Sequence, residues 1–123
     1  MPISTVAALQ IGSLPGGKAD TLAQILTYED AIVRSGAQLV VMPEALLGGY
    51  PKGETFGTQL GYRLPEGREA FARYFANAID VPGAETEALA GLSARTGASL
   101  VLGVIERSGS TLYLSLIHIS PPP

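Results

Sequence analysis

The sequence predicts an α/β fold, a mostly parallel sheet with an antiparallel edge, backed by helices. Three observations carry this. The runs at residues 39–42 and 100–105 are almost wholly apolar, as in strands of a covered parallel sheet. Residues 18–35, between the first apolar strand and the second, carry a helical period, and strand–helix–strand of this length gives a parallel pair. Finally, Arg107-Ser108-Gly109-Ser110 reads as a turn, after which Thr111 onward returns as an antiparallel strand.

Taken in order, residues 3–11 read as a strand with both sides covered, and residues 12–17 as a Gly- and Pro-rich loop. The helix over 18–35 places Leu22, Ile25, Leu26, Ile32 and Val33 on one stripe, interrupted by Glu29; Asp20 fits its first turn, Arg34 its last and Gly36 its stop. The strand at 38–42, buried on both faces, ends at Pro43, which has no N–H for a ladder. Residues 51–66 show no steady period, and a loop of that length points to function. A helix over 67–79 puts Phe71, Tyr74, Phe75 and Ala78 on one face as core residues, and Pro82 bars its continuation. A second helix over 83–95 has Glu85 and Glu87 in its first turn, Arg95 in its last, Gly97 as its stop, and Leu89 and Leu92 on its buried side.

Composition limits what such a fold can do. At 123 residues there is room for one domain with a core, and 46% hydrophobic against 15% charged residues marks a folded chain. A net charge of -3 argues against a nucleic-acid surface, which needs clustered Lys and Arg. Cysteine is absent, so there is no disulfide framework and no thiolate metal site, and the single His118 cannot build a zinc site alone. The first basic residue is Lys18, too late for the start of a signal peptide, and the apolar runs are too short to span a membrane; the cytoplasm is the expected compartment.

The candidate site centres on Glu44. It stands just past a strand's C-terminal end, where crevices form in open α/β sheets. A carboxyl delivered there is expected to be partly withdrawn from water, which raises its pKa toward the range of a useful general base. A loop glutamate in water or in a structural ion pair is the competing reading, and the residues alone leave both open. Gly48-Gly49-Tyr50-Pro51 permits tight turns, and Tyr50 is a candidate pocket wall or hydroxyl beside Glu44, or a residue that only packs over the loop. Residues 12–19 approach a phosphate-binding loop in spacing. However, Ala19 replaces the magnesium-binding hydroxyl, Pro15 removes an N–H donor, and no partner Asp ends the second strand, so a degenerate phosphate loop in a non-catalytic binding module is a distant alternative. His118, in a strand-like apolar run, reads as a satisfied or solvent-facing histidine.

These segments together resemble the nitrilase family of carbon–nitrogen hydrolases. The matching signals are Val6-Ala7-Ala8-Leu9-Gln10, then the run from Met42-Pro43-Glu44 through Gly48-Gly49-Tyr50-Pro51-Lys52-Gly53, then Phe56-Gly57, Glu66-Gly67-Arg68, Ala78-Ile79-Asp80-Val81-Pro82-Gly83, Gly103-Val104-Ile105-Glu106 and Gly109-Ser110-Thr111-Leu112-Tyr113. The resemblance implies the N-terminal, truncated part of an αββα sandwich, a mixed sheet with helices on one face. It also implies hydrolysis of a small-molecule nitrile to a carboxylic acid and ammonia by a Glu-Lys-Cys triad, without metal or organic cofactor, in a parent enzyme that is a homo-oligomer acting apart from membranes and nucleic acid. An amidase of the same superfamily is the alternative.

Glu44 matches the family's general base. Its Lys and nucleophilic Cys have no counterpart here: Lys18 and Lys52 match neither position and no Cys exists, so this chain alone is expected to be inactive. The family pattern spans about residue 4 to Tyr113. Residues 1–113 are therefore expected to be the N-terminal portion of the hydrolase domain, and residues 114–123, ending in Pro121-Pro122-Pro123, a foreign-looking tail outside the native fold.

Overall fold

The structure, a computed structural model, describes residues 3–50, 58–59, 62–63 and 65–123, with side chains described for 3–50 and 67–123. The elements run β1 (Val6–Ala8), α1 (Lys18–Leu26), α2 (Glu29–Ser35), β2 (Leu39–Val41), β3 (Thr58–Gln59), β4 (Tyr62–Arg63), α3 (Pro65–Ala76), α4 (Ala84–Thr96), β5 (Ser99–Ser108) and β6 (Thr111–Ile119). The two apolar runs lie side by side in a four-stranded sheet of order β1-β2-β5-β6; β1, β2 and β5 are parallel, and β6 returns antiparallel on β5. The α/β class and the antiparallel edge are as the sequence predicts.

Register decides which side chains share a face. Val40 lies between Ala7 and Leu100, and Leu100 faces Ile119 across the antiparallel ladder. Val40, Leu100, Leu102 and Val104 are fully buried against Ile25 of α1, Ile32 of α2, and Leu89 and Leu92 of α4. Burial of each such side chain contributes roughly 1.5–3 kcal/mol. Gly36 and Gly97 both adopt left-handed φ (69° and 73°) at the ends of α2 and α4, where a residue without Cβ is unstrained, so both helices stop where the sequence says they stop.

The opposite face of the sheet is covered only at Ile105, where Ala45, Ala78 and Tyr74 pack, and is open elsewhere among the described residues. Val6, Val41, Leu114 and Leu116 project from it, and Val6 and Leu116 retain 58% and 73% of their accessible surface. The strands at 3–11 and 38–42 are therefore covered on one face only, not on both. They are also shorter than predicted, because ladder pairing between β1 and β2 runs only from Val6 opposite Leu39 to Ala8 opposite Val41.

Other elements differ too. The helix over 18–35 is two helices: at Thr27 and Tyr28 the backbone tightens, with Thr27 N–H reaching Gln24 O at 3.1 Å and Tyr28 N–H reaching Ile25 O at 3.1 Å. Glu29, which breaks the apolar stripe, is the first residue of the next helix, where an acid suits the positive end of the dipole. The helix over 67–79 covers Pro65–Ala76 instead, and Ile79 already pairs with Glu106. On its face Ala78 is buried and Tyr74 and Phe75 are half-buried, but Phe71 is exposed. The stretch 51–66 is not structureless: β3 and β4 pair within it, while residues 51–57 lie outside the described residues. Finally, residues 114–119 are not detached. β6 pairs with β5 continuously from Thr111 opposite Ser108 to Ile119 opposite Leu100, because alternate residues Ile117 and Ile119 find apolar partners on the helix side.

Candidate active site

Glu44 sits on a bulge forced out of the sheet. β2 and β5 pair in register up to Val41 opposite Val101, and pairing resumes at Leu47 opposite Val104, so the first strand carries three extra residues between these points. Gly103 holds both sides of the bulge, its N–H donating to Pro43 O at 3.0 Å and its carbonyl accepting from Leu46 N–H at 2.9 Å. A Cβ at position 103 would lie 2.4 Å from Glu44 Cα, so only glycine lets the glutamate backbone cross β5.

The turn after Glu44 is strained and tied down. Ala45 has φ 53°, a left-handed conformation that costs a non-glycine residue of order 1–3 kcal/mol. Its methyl is buried against Ala78 and Ile105. Gly49 N–H donates to Ala45 O at 2.9 Å, and the Ser13 hydroxyl donates to Leu46 O at 2.7 Å, with Ala45 O 3.3 Å away. Gly48, at φ 111°, passes so close to Ile105 that a Cβ would meet its side chain at 2.7 Å. The Tyr74 hydroxyl donates to Gly49 O at 2.8 Å and Asn77 Nδ2 to Gly48 O at 3.3 Å.

The Glu44 side chain is exposed, so the desolvation expected of it is not found: the bulge lifts it off the sheet edge onto the open side. Tyr50 comes to it. Interaction with the Glu44 carboxyl, then partial desolvation, then the carboxylate's charge hold the phenol above its ordinary pKa. Tyr50 is 57% exposed, so it flanks the carboxyl without enclosing it. Next to Pro43, at the C-terminal ends of β1 and β2, an open cleft of about 280 Å³ is lined by Ala8, Leu9, Gln10, Val41 and Met42, with Gln10 its one polar side chain. Among the described residues no three His, Asp or Glu side chains gather as metal ligands.

The phosphate-loop reading does not survive the geometry. Lys18 Nζ donates to Ala78 O at 2.8 Å and pairs with Glu85 at 3.3 Å, its N–H goes to Asn77 Oδ1, and Gly17 N–H goes to Leu14 O. The groups that would cradle a phosphate are spent inside the fold. His118 faces the open side with Ser120 Oγ 3.1 Å from its Nε2, and Lys52 lies outside the described residues. Ser13 and Asn77 are not singled out by sequence, and Gly103 enters only as part of a family-like segment with no role; their roles depend on carbonyls far along the chain.

The chain as a whole matches a known family. The family model for carbon–nitrogen hydrolases aligns with residues 5–123. The chain belongs to the carbon–nitrogen hydrolase family. Similar proteins include an aliphatic nitrilase of Sinorhizobium fredii (strain HH103), 43% identical over 115 residues, which are 94% of this chain and 37% of that protein. A bifunctional nitrilase/nitrile hydratase of Nicotiana tabacum is 48% identical over 101 residues, 80% of this chain and 29% of the relative. A nitrilase of Bradyrhizobium diazoefficiens is 44% identical over 111 residues, 90% of this chain and 35% of the relative. This carbon–nitrogen hydrolase chain thus spans about a third of the length of the relatives it matches. The match with the family model extends past Tyr113 to residue 123, and of that stretch residues up to Ile119 lie in β6.

Proposed function

We propose that Glu44 is the general base of a nitrilase, and that the 123 residues supply the base and one wall of a site whose lysine and cysteine come from outside them. The observation that carries the reading is the Gly103-supported bulge, which fixes one carboxylate at the sheet edge beside Tyr50 in a chain whose similar relatives are nitrilases. In the reaction Glu44 takes the thiol proton, the thiolate attacks the nitrile carbon, and the proton passes from Glu44 to the nitrile nitrogen to give a neutral thioimidate and restore the carboxylate. Water, deprotonated by Glu44, adds to that carbon; ammonia leaves with a proton from the carboxyl, and a second water releases the acid. The sum is one nitrile and two waters to one carboxylic acid and one ammonia. The lysine stabilises the negative charge that develops at nitrogen and oxygen.

Without a cysteine the chain alone has no nucleophile, and a mechanism whose members act as a unit collapses when one is missing. Purified chain incubated with aliphatic and aromatic nitriles should release no more ammonia than buffer. A chimera tests the positive claim: residues 5–113 replace the matching first part of the Sinorhizobium fredii aliphatic nitrilase. It should convert nitriles to acid and ammonia. Turnover of amides with none of nitriles would instead identify the amidase branch.

A further inference from the structure

We propose that Ser13 is a positioning residue for Glu44: its hydroxyl, set between the Ala45 and Leu46 carbonyls, holds the left-handed elbow that aims the carboxyl. The inference rests on the reading of Glu44 as the base, and it concerns a residue from a different part of the chain, 32 positions before Ala45.

Three observations support it. First, the backbone on either side of Glu44 is fixed unequally. On the Pro43 side, Gly103 N–H bonds Pro43 O and the glutamate Cα rests on the Gly103 backbone. On the other side Leu46 N–H bonds Gly103 O, but between that anchor and Glu44 stands Ala45 at φ 53°, a left-handed conformation that costs a residue with a Cβ. Second, the Ala45 carbonyl has two donors near it, Gly49 N–H at 2.9 Å and Ser13 Oγ at 3.3 Å, and the next carbonyl, Leu46 O, takes the Ser13 proton at 2.7 Å. A single hydroxyl has one proton, so the short bond to Leu46 is the main one and the Ala45 carbonyl is drawn to its edge. Third, Ser13 also packs where the Gly49 turn comes back, a Cβ on Gly49 falling 3.6 Å from Ser13 Cβ and Oγ. The hydroxyl therefore sits in the hollow of the turn. Rotation about the Ala45 peptides swings Glu44 relative to Tyr50, which makes the upward pull of the Glu44 carboxyl on the Tyr50 phenol a reporter of the elbow.

The test uses the 123-residue chain itself and no nitrile, so its outcome is separate from that of the turnover experiments. Tyr50 ring-carbon NMR follows the phenol through its titration, and hydrogen exchange follows the Leu46 and Gly49 amides. In the native chain the phenol should titrate above 10.0, the ordinary value, and Glu44→Gln should bring it back toward that value. Ser13→Ala should bring it back equally while the Val40 and Leu100 amides keep their protection. It should also speed exchange at Leu46 and Gly49 roughly five- to tenfold, the scale of one lost hydrogen bond. Ser13→Thr keeps the hydroxyl and should restore both readouts. A Ser13→Ala chain whose Tyr50 titrates as in the native protein overturns the inference, as does a Glu44→Gln chain that leaves Tyr50 unmoved.

Discussion

A methyl group at position 103 would stand 2.4 Å from Glu44 Cα and from Ala45 N, and backbone cannot yield as a flexible side chain can. Gly103→Ala should therefore displace the Glu44 bulge and cost roughly 1–3 kcal/mol, the usual range for overpacking. Urea unfolding checks this, and a variant as stable as the native chain would show that the bulge floats free of β5. Asp80 offers a second test at this scale. The Arg107 guanidinium, hydrogen-bonded to it at 3.1 and 3.2 Å, holds its carboxyl below the ordinary value of 3.8. A lowered folded pKa means that stability is whole above the unfolded value and is lost as pH falls through the folded one. Melting temperatures followed from about pH 6 down to about pH 2 should fall more steeply for the native chain than for Asp80→Asn below the ordinary carboxyl range. Equal slopes would remove Asp80 from the balance.

At the scale of elements, much was legible because local chemistry and tertiary packing agree. Gly36 and Gly97 mark helix ends since left-handed backbone favours glycine, and Pro43 marks the end of β2 since it lacks an N–H. Glu44 could be found for that reason, one residue beyond the proline. Other features are invisible to periodicity. The break at Thr27–Tyr28 keeps Ile25 and Ile32 in the core but leaves Val33, predicted on the same stripe, exposed, and only Glu29 betrays it. The three-residue bulge has no sequence signature, because it is defined by where Leu47 resumes pairing with a strand nearly sixty residues away. Which face of a strand is covered also cannot be read from an apolar run. A contrast of two leucines tests this. Leu100→Ala, in the fully buried helix face, should cost about 2–5 kcal/mol. Leu116→Ala, on the open face, should change stability by no more than about 0.5 kcal/mol. Equal costs would mean that the open face is covered in solution.

For the whole molecule, the consequence of one-sided cover is an apolar surface on one side of the sheet, with Val6, Val41, Leu114 and Leu116 exposed. Such surfaces drive association or aggregation. Sedimentation of the chain should show species larger than a monomer, and a Leu114→Ser, Leu116→Ser double variant should shift the balance toward monomer without loss of helical signal. The two substitutions act on a strand paired along its whole length with β5, so an unchanged distribution would place the association surface elsewhere. The chain covers between about a quarter and somewhat over a third of each similar nitrilase, and the proposed catalytic role belongs to what that part contributes.

The contribution is one carboxylate, and one measurement tests it most directly: kcat for nitrile hydrolysis by the chimera with and without Glu44→Gln. Glutamine keeps the shape of the side chain and its place on the bulge but cannot accept the thiol proton. Positioned general bases contribute roughly 10²–10⁴-fold, so kcat should fall by that factor in an enzyme with unchanged circular dichroism. A folded Glu44→Gln enzyme that keeps near-native turnover would contradict the account and leave Glu44 as a structural carboxylate.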